Sequence, residues 1–378
     1  MSETMKAVVK MEPVRGATLL EREMPSIQED EVLVRIRGTS VCGTDVHIYT
    51  WDAWSSSRIG KGKLPQIMGH EACGEVVECG KRVRGLKTGD FVAIETHIPD
   101  PTDLQSWMGQ AHIGEHMRIV GVDRHGTFAD FVSVPETVCW RIDGKIPPEV
   151  ASVMEPLGNA TYAVLGEDND VAGKTMAIVG DGPIGLFATA VARACGVTKI
   201  FLVGRWEFNL QLGKKLGADH ILSADDATLD RVSYVRDHTR GFGADIVLEM
   251  AGVPQAINEG FAMLRKGGRF SAFGVSPGSE TTLDYNNAIV FKGAQVHGIN
   301  GRKMFDTWYR MENLLASGRL DITPVITHLF PLGDFEHGFD LMMEQPRRSA
   351  KIVLFPDPAE YEAAAARMGK AAEAVGRV

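Results

Sequence analysis

Residues 177–194 read AIVGDGPIGLFATAVARA, an apolar strand pattern that runs through a glycine-rich turn into a helix pattern. The turn sets Gly180, Gly182 and Gly185 in a GxGxxG spacing. In such a turn the first glycine makes the tight bend, the second lets the backbone approach a pyrophosphate, and the third permits close packing of helix on strand. The helix N-terminus offers free N–H groups to the anion. The segment therefore predicts a dinucleotide-binding βαβ unit.

The next apolar strand ends in FLVGRWEF, residues 201–208, where a dinucleotide-binding unit commonly carries an acid for the adenosine ribose. Gly204 and Arg205 stand there instead. A glycine leaves room for a 2′-phosphate and does not repel it, and an arginine can donate a charge-assisted hydrogen bond to it. The sequence thus favours NADP(H) over NAD(H). An Arg205 that points to solvent or stacks on the adenine, with Glu207 nearby, would leave NAD(H) acceptable.

Outside this turn the chain shows two different patterns of apolar segments. From about residue 175, apolar strands alternate with helix-length segments, which predicts a parallel sheet covered on both faces and an α/β fold class. Residues 1–160 read as short strands closely punctuated by glycine and proline, which predicts a β-rich, barrel-like unit. We assign residues 161–299 to the dinucleotide-binding domain, and residues 1–160 and 300–378 to the other.

Two C-terminal segments carry their own predictions. The apolar run KIVLFP, residues 351–356, is expected to return to the first domain. The alanine-rich tail, residues 359–378, is a good helix former and is expected to pack on the surface or against another subunit.

Composition limits the classes of partner and compartment. The 378 residues are 44% hydrophobic and 24% charged, and the net charge of -9 argues against nucleic acid or an anionic membrane as the main partner. The N-terminus has no continuous apolar stretch typical of a secretory signal. The five cysteines form no CxxC pair, which fits the reducing cytoplasm better than a disulfide framework.

Three segments carry metal-ligand chemistry. SVCGTDVHIY (residues 40–49) contains Cys42, Thr44 and His47, PQIMGHEACGEVVECG (residues 65–80) contains His70 and Glu71, and VMEPLGNA (residues 153–160) contains Glu155. A thiolate, an imidazole and a carboxylate are the ligand types of a catalytic zinc that keeps one position open. Each residue alone has an ordinary structural reading. Together, in a chain with a dinucleotide fold, they indicate metal-assisted hydride transfer.

At these residues the chain becomes recognisable. GHEACGEVVECG, residues 69–80, resembles the zinc signature GHExxGxxxxxG of the zinc-dependent medium-chain dehydrogenase/reductase superfamily. Further segments resemble its L-threonine dehydrogenase branch: CGTDVHIYTWDAWSSSRI (42–59), ETHI (95–98), EPLGNA (155–160), IVFKGAQVHGINGRKMFDTWYRM (289–311) and PVITHLF (324–330). The resemblance implies a GroES-like catalytic domain with a Rossmann domain, usually assembled as a homotetramer.

The resemblance also implies roles for single residues. Cys42, His70 and Glu71 become zinc ligands, with Glu155 as an additional or alternating one. Thr44 and His47 become a proton relay from the substrate hydroxyl to solvent, and His97 shapes substrate choice. Apart from the resemblance, we expect Asp45 and the segment TWDAWSSSR, residues 50–58, to orient the substrate; the alternative is that Trp51 and Trp54 serve only in packing. The residues expected to bind the cofactor are Gly180, Gly182, Ile184, Gly185, Gly204, Arg205, Phe273, Gly274, Val275, Ile299 and Asn300.

Two departures from the branch matter. Its members usually carry a lobe of four cysteines that holds a structural zinc, but here residues 99–123 contain no cysteine. The four places fall on Asp100, Asp103, Ser106 and Gly114, which cannot close a zinc site of four thiolates. We therefore predict one catalytic zinc per subunit and a lobe held by packing alone, with His112 and His116 solvated. The second departure is Gly204.

The predicted reaction is reversible oxidation of a small secondary alcohol, with a substrate like threonine. An NADP-dependent polyol or sugar dehydrogenase is the alternative within the superfamily. A cofactor-binding protein without catalysis is disfavoured because Cys42, His70, Glu71, Thr44 and His47 are all present.

Overall fold

The computed structural model describes residues 3–142, 145–276 and 280–375, and all statements on the structure refer to these ranges. The strands, in chain order, are β1 (Thr4–Lys10), β2 (Thr18–Glu23), β3 (Glu31–Ser40), β4 (Gln66–Ile67), β5 (Glu71–Cys79), β6 (Phe91–Ile94), β7 (His97–Ile98), β8 (Arg118–Ile119), β9 (Phe131–Pro135), β10 (Cys139–Arg141), β11 (Thr175–Val179), β12 (Lys199–Gly204), β13 (His220–Ser223), β14 (Ala244–Glu249), β15 (Leu264–Ala272), β16 (Gln295–Gly298), β17 (Ile326–Pro331) and β18 (Lys351–Phe355).

The α-helices are α1 (Gly43–Thr50), α2 (Ala53–Arg58), α3 (Leu104–Trp107), α4 (Pro148–Ala151), α5 (Met154–Leu165), α6 (Pro183–Ala194), α7 (Glu207–Lys215), α8 (Arg231–Asp237), α9 (Pro254–Met263), α10 (Asp306–Ala316), α11 (Phe335–Met343) and α12 (Pro358–Val375). Short 3₁₀ turns join several of these elements, and residues Asn286–Val290 form a π-helical turn. Across the described ranges, no helix combines the length and the apolar character needed to cross a membrane.

The chain divides into two compact units. The first comprises the residues up to Pro156, Ile326–Glu344 and the residues from Lys351 onward. Its largest sheet has the order β10-β6-β5-β3-β18-β17, with β9 also paired to β3. Valine and isoleucine side chains of β3, β5 and β6 fill the core of this sheet. The return of β18 to this unit agrees with the prediction for residues 351–356.

One strand register in the first unit brings distant parts of the sequence together. β3 and β5 are antiparallel, and Ser40 at the end of β3 lies opposite Glu71 at the start of β5. β18 pairs with the other edge of β3, where Val353 lies opposite Ser40. The residues that follow β3, precede β5 and begin β18 are therefore neighbours.

The second unit comprises Leu157–Val325 and Gln345–Ala350. Its six-stranded sheet is parallel throughout and has the order β13-β12-β11-β14-β15-β16. Numbered from its own first strand, this order is 3-2-1-4-5-6, the doubly wound arrangement that binds dinucleotides where the order reverses, between β11 and β14. The sheet confirms the predicted α/β fold class with a Rossmann domain.

The boundary of the second unit differs from the predicted one. Residues 300–325 were assigned to the catalytic domain, but they lie in the dinucleotide-binding unit. The buried Arg302 explains this placement, because its Nη1 donates to Asn159 Oδ1 at 2.8 Å. The 3₁₀ turn Thr323–Val325 also packs on α6.

The lobe at residues 99–119 is held by polar contacts around an acid, so the prediction of packing alone was wrong. Asp103 is 6% exposed and accepts hydrogen bonds from the backbone N–H of His116 at 2.9 Å and from its Nδ1 at 2.6 Å. The prediction that the two histidines of the lobe are solvated holds for His116, whose side chain is 72% exposed although it is bound to Asp103, and is wrong for His112. His112 is buried on the 3₁₀ turn Ala111–Ile113.

Asp100, at another of the four places, caps its own turn by accepting from the backbone and hydroxyl of Thr102 at 2.8 and 2.6 Å. Ser106 Oγ donates to the Asp100 carbonyl at 2.6 Å. A methyl group on Gly114 would lie 2.6 Å from Asp103 Oδ2. Of the four places, Asp103 forms the contact with His116, Gly114 leaves room for the Asp103 carboxylate, and Asp100 and Ser106 stabilise the adjoining turn.

The alanine-rich tail forms α12 up to Val375, and residues 376–378 of that prediction lie outside the described residues. The helix packs on the first unit through the buried Ala364 and Met368. Arg367 forms a bidentate ion pair with the buried Glu149 at 2.8 Å. The helix therefore packs on the surface of its own chain, which is one of the two predicted alternatives.

We expect the lobe to lose stability in the D103N variant in a pH-dependent manner. The hydrogen bond from His116 lowers the pKa of Asp103 below its ordinary 3.8, and Asp103 raises the pKa of His116 above its ordinary 6.5. The histidine contribution is complete below pH 6.5 and disappears as pH rises through its raised value. The aspartate contribution is present above pH 3.8 and disappears as pH falls through its lowered value. Both contributions are present together between pH 3.8 and pH 6.5, so the difference in Tm between wild type and D103N should be largest at about pH 5.

Thermal unfolding followed by circular dichroism between pH 4 and 9 measures this difference. E115Q removes the same charge next to His116 and is the control. Added salt should reduce the effect because His116 is largely exposed. Equal Tm differences at every pH would show that this pair does not stabilise the lobe.

Candidate functional site

The predicted metal ligands of the first unit converge. Ligand atoms of Cys42, His70 and Glu71 all lie within 4.8 Å of one another. Cys42 follows β3 and caps the N-terminus of α1, while His70 and Glu71 stand at the start of β5, so the β3–β5 register brings them together. His70 is 5% exposed and Glu71 is fully buried. Among the described residues this is the only group of three or more such ligands.

Asp45 orients His70. Its Oδ1 lies 3.3 Å from His70 Nδ1, and its Oδ2 accepts the backbone N–H of Cys42 at 2.9 Å. Asp45 is fully buried, so the prediction that it orients the substrate was wrong. Burial lowers the pKa of His70, but the charges of Asp45 and Cys42 outweigh that effect and raise it. A carboxylate on Nδ1 leaves Nε2 for a metal, as is usual for metal-bound histidines.

The two oxygens of Glu71 have different surroundings. Oε2 accepts hydrogen bonds from Ser40 Oγ and Lys351 Nζ. Within the described residues, no group donates to Oε1, although the oxygen is buried. A buried carboxylate oxygen with no donor is costly unless a ligand completes it. Together with a thiol and an imidazole, this orphaned oxygen fits a zinc ion.

Lys351 brings a positive charge to the site from β18. Its Nζ also donates to the Val41 carbonyl at 2.9 Å, and its side chain is 3% exposed. Burial alone would lower the pKa of Lys351, but Glu71 and Cys42 raise it overall. The lysine therefore stays charged beside the anionic ligands.

Glu155 lies near this group without joining it. It is 5% exposed, stands in the first turn of α5, and acts electrostatically on Lys351. Its carboxylate is not among the ligand atoms that lie within 4.8 Å of one another. Its role as an additional or alternating ligand stays a prediction.

The predicted relay residues lie on one helix. Thr44 and His47 are three residues apart on α1, a spacing that puts both on the same face. His47 Nδ1 lies 2.5 Å from Asp52 Oδ2, and the His47 side chain is 56% exposed. Asp52 also caps α2 by accepting the backbone N–H of Ser55 at 3.0 Å. The ring is thus held in place at one nitrogen while it contacts solvent.

His97 is a buried histidine held by a buried acid. Its Nδ1 lies 3.0 Å from Glu95 Oε1, which also accepts the His97 backbone N–H at 2.9 Å. The two residues are 8% and 0% exposed. The pair gives a rigid position, and its effect on substrate choice stays a prediction.

The glycine-rich turn of the second unit has the shape of a pyrophosphate cradle. Gly180 has φ +125°, a backbone conformation that L side chains rarely adopt. A methyl group on Gly185 would lie 1.9 Å from the Gly180 carbonyl oxygen, whereas one on Gly182 would meet nothing within 4 Å. No side chain caps the N-terminus of α6, so its N–H groups are available to an anion. The turn fits the pyrophosphate of a dinucleotide.

The other predicted cofactor residues line the same edge of the sheet. Ile184 is partly exposed on the first turn of α6. Phe273, Gly274 and Val275 follow the carboxyl end of β15, and Ile299 and Asn300 follow that of β16. Ligands of doubly wound sheets bind at these carboxyl ends.

The space above Gly204 is filled, contrary to the expectation that it receives a phosphate. A methyl group on Gly204 would lie 2.3 Å from both Cβ and Cγ of Asp181. Asp181 is the residue between the first two glycines of the turn and is 6% exposed. Its side chain therefore explains why residue 204 has none.

Arg205 is exposed but engaged. Its Nε donates to Asp225 Oδ1 at 3.0 Å, and its guanidinium lies 5.2 Å from the centre of the Trp206 ring. The side chain is 62% exposed, so it can exchange Asp225 for another anion at little cost.

Sequence reasoning missed Ser40, Lys351 and Asp181. Ser40 and Lys351 reach the metal site only through strand pairing, which sequence spacing does not reveal. The sequence does display an acid, Asp181, inside the GxGxxG turn and a glycine, Gly204, at the end of the next strand. The combination of a side chain at residue 181 with none at residue 204 was the signal that could have identified Asp181.

Two family models match the chain. The alcohol dehydrogenase GroES-like domain matches residues 28–144, and the zinc-binding dehydrogenase domain matches residues 183–317. An L-threonine 3-dehydrogenase of Bacillus velezensis is 48% identical over 356 residues, covering 94% of this chain and 100% of that protein.

Solved structures agree with the fold. A 2R,3R-butanediol dehydrogenase from Bacillus subtilis is 26% identical with a TM-score of 0.83, covering 93% of this chain and 100% of the other. A zinc-binding dehydrogenase from Sinorhizobium meliloti 1021, bound to NADP, is 26% identical with a TM-score of 0.82, covering 94% and 100%.

We expect the C42S variant to bind zinc at least about tenfold more weakly than the wild type, because the hydroxyl of serine is a poor substitute for a thiolate ligand. C73S is the matched control, since Cys73 lies on β5, two residues after Glu71, but is buried against the Pro148 carbonyl. Zinc content after dialysis, measured by mass spectrometry, distinguishes the two variants. Equal zinc retention in C42S and wild type would exclude Cys42 as a ligand.

Proposed function

The chain belongs to the zinc-dependent alcohol dehydrogenase family, as an NAD(P)-dependent oxidoreductase acting on CH–OH donors, and on that premise we propose that it oxidises the secondary alcohol of L-threonine. The product would be 2-amino-3-oxobutanoate. The threonine assignment is supported by the 48% identity to a threonine dehydrogenase across almost the whole chain.

The observation that carries the proposal is the buried meeting of Cys42, His70 and Glu71, with Glu71 Oε1 left without a donor. These three residues would hold one zinc ion and leave a position for the substrate. When bound, zinc supplies a Lewis acid that lowers the pKa of the alcohol, and the nicotinamide supplies the hydride acceptor.

The chain's own residues would then handle the proton. Thr44 accepts the proton of the substrate hydroxyl and passes its own to His47. The exposed imidazole releases it to solvent, while Asp52 holds the ring at Nδ1. In becoming a ketone the alcohol would give up one hydride and one proton, and these residues would carry the proton to water.

We propose NADP(H) as the favoured cofactor. Residue 204 carries no acid, and the Arg205 guanidinium is exposed enough to meet a 2′-phosphate. The residues proposed to contact the cofactor are those at the carboxyl ends of β11, β12, β15 and β16. A structural relative with bound NADP supports this choice.

We also propose one zinc per subunit, a homotetramer and a cytoplasmic location. Asp103 and His116 use their ligand atoms on each other, which supports the single zinc. The five cysteines are free, as a reducing compartment requires. Leu104, Trp107 and Met108 are exposed on the lobe and give an apolar surface for subunit contact. The proposed partner is a small-molecule alcohol, without nucleic acid or membrane.

A polyol or sugar dehydrogenase is the second candidate. It is favoured by the two departures from threonine dehydrogenases, at the lobe and at Gly204. The structural similarity to a protein named as a 2R,3R-butanediol dehydrogenase also supports this candidate.

We expect threonine to be oxidised with a kcat/KM at least about tenfold above that of polyols or aldoses. Steady-state kinetics with threonine, 2,3-butanediol, sorbitol and glucose, each with NADP+ and NAD+, measures this directly. Faster turnover of sorbitol or glucose would replace the threonine proposal with the second candidate. A more than tenfold preference for NAD+ would contradict the proposed cofactor.

We expect H47N to lower kcat by about 100-fold at neutral pH while zinc content stays unchanged, because a general base typically contributes about that much. Added imidazole should restore part of the rate. H337N is the control, since His337 is an exposed histidine of the same unit. An unchanged kcat in H47N would remove His47 from the relay.

A further inference from the structure

The acid missing from the end of β12 has a substitute in the glycine-rich turn. Asp181 Oδ2 accepts the backbone N–H of Trp206 at 2.7 Å, and the backbone N–H of Arg205 also donates to this carboxylate. The backbone carbonyl of Asp181 accepts a hydrogen bond from Asn209 Nδ2 at 2.9 Å. The Asp181 side chain thus links the turn after β11 to the turn after β12, and it accepts hydrogen bonds from the two N–H groups that follow Gly204.

The pairing of Asp181 with Gly204 is reciprocal. Any side chain at residue 204 would overlap Asp181, since even a methyl group would lie 2.5 Å from its Oδ2. Conversely, the carboxylate occupies the space in which a strand-end acid would begin. The negative charge is therefore kept at this corner of the sheet and is supplied from the turn that follows β11.

The charges around Asp181 are mixed. Burial raises the pKa of Asp181, while the N–H groups of Trp206 and Arg205 and the charge of Arg347 oppose that rise. Arg205 directs its own guanidinium to Asp225. The corner therefore contains one carboxylate fixed by the backbone and two arginines.

We propose that Asp181 limits the binding of NADP(H) by competing with the 2′-phosphate of the cofactor for the N–H groups of Arg205 and Trp206. The proposal rests on the proposed function, since it concerns the same cofactor. Arg205 attracts the 2′-phosphate and Asp181 repels it, so the ratio of NADP(H) to NAD(H) affinity is a balance between these two residues. The wild-type preference for NADP(H) is consequently small.

The D181N variant tests this balance with the full chain. Asparagine keeps an oxygen for the Trp206 N–H and removes the charge. We expect the ratio of the Kd for NAD+ to the Kd for NADP+ to rise at least about tenfold in D181N, because opposed like charges are strongly unfavourable. The same ratio should fall in R205A. Isothermal titration calorimetry with each cofactor, and with 2′,5′-ADP as the adenosine fragment of NADP+ that retains the 2′-phosphate, measures binding without turnover.

The control is D170N, which removes the same charge from the same unit. Asp170 precedes β11 and pairs with Lys174, so it lies at the opposite edge of the sheet from the turn. If D181N does not fold, D181S keeps a smaller acceptor for the same test. The steric part is tested by G204A, which should lower Tm, and by D181A/G204A, which should recover part of the loss.

The outcomes separate the two proposals. A chain that binds neither NAD+ nor NADP+ overturns the proposed function and this inference with it. If both cofactors bind and R205A changes their ratio while D181N changes it less than twofold, only the role of Asp181 is overturned. A rise confined to D181N and absent from D170N supports it.

Discussion

The register of two antiparallel strands is the constraint on which the candidate metal site depends. Because Ser40 lies opposite Glu71, the chain that leaves β3 places Cys42 near the start of β5, where His70 immediately precedes Glu71, the first residue of the strand. A slip of one residue would turn every side chain of β5 to the other face of the sheet and would separate the three ligands. The apolar side chains of β3, β5 and β6 fix this register, so core packing and ligand placement are one property of the sheet.

The same register buries the carboxylate of Glu71, which requires a positive charge beside it. A strand from the C-terminal part of the chain supplies that charge. Glu71 is a buried acid, and β18 brings Lys351 to it on the far side of Ser40. Leaving one member of such a buried pair alone typically costs about 3–5 kcal/mol. Lys351 and Ser40 donate hydrogen bonds to one carboxylate oxygen of Glu71 and leave the other oxygen for a ligand. The last strand thus stabilises the site although it contributes no metal ligand.

Much of this arrangement could be predicted from the sequence, and the failures have physical causes. The GxGxxG spacing predicted the dinucleotide-binding βαβ unit because local backbone geometry requires those glycines, and the alternation of apolar strands with helix-length segments predicted the parallel sheet. Cys42, His70 and Glu71 were predicted because their chemistry is unusual in combination. Asp45 and the Asp103–His116 contact were misjudged because both depend on burial, which a single sequence does not display. Gly204 was interpreted as open space because the side chain that fills it comes from residue 181.

The cysteine-free lobe has a consequence for chemical durability. The lobe is held by a contact between a carboxylate and an imidazole, and residues 99–123 contain no cysteine that a thiol reagent could modify. Depletion of zinc from the surrounding medium likewise removes nothing from this contact. A thiol reagent can therefore reach the partly exposed Cys42, Cys79, Cys139 and Cys195 but has no target inside this lobe.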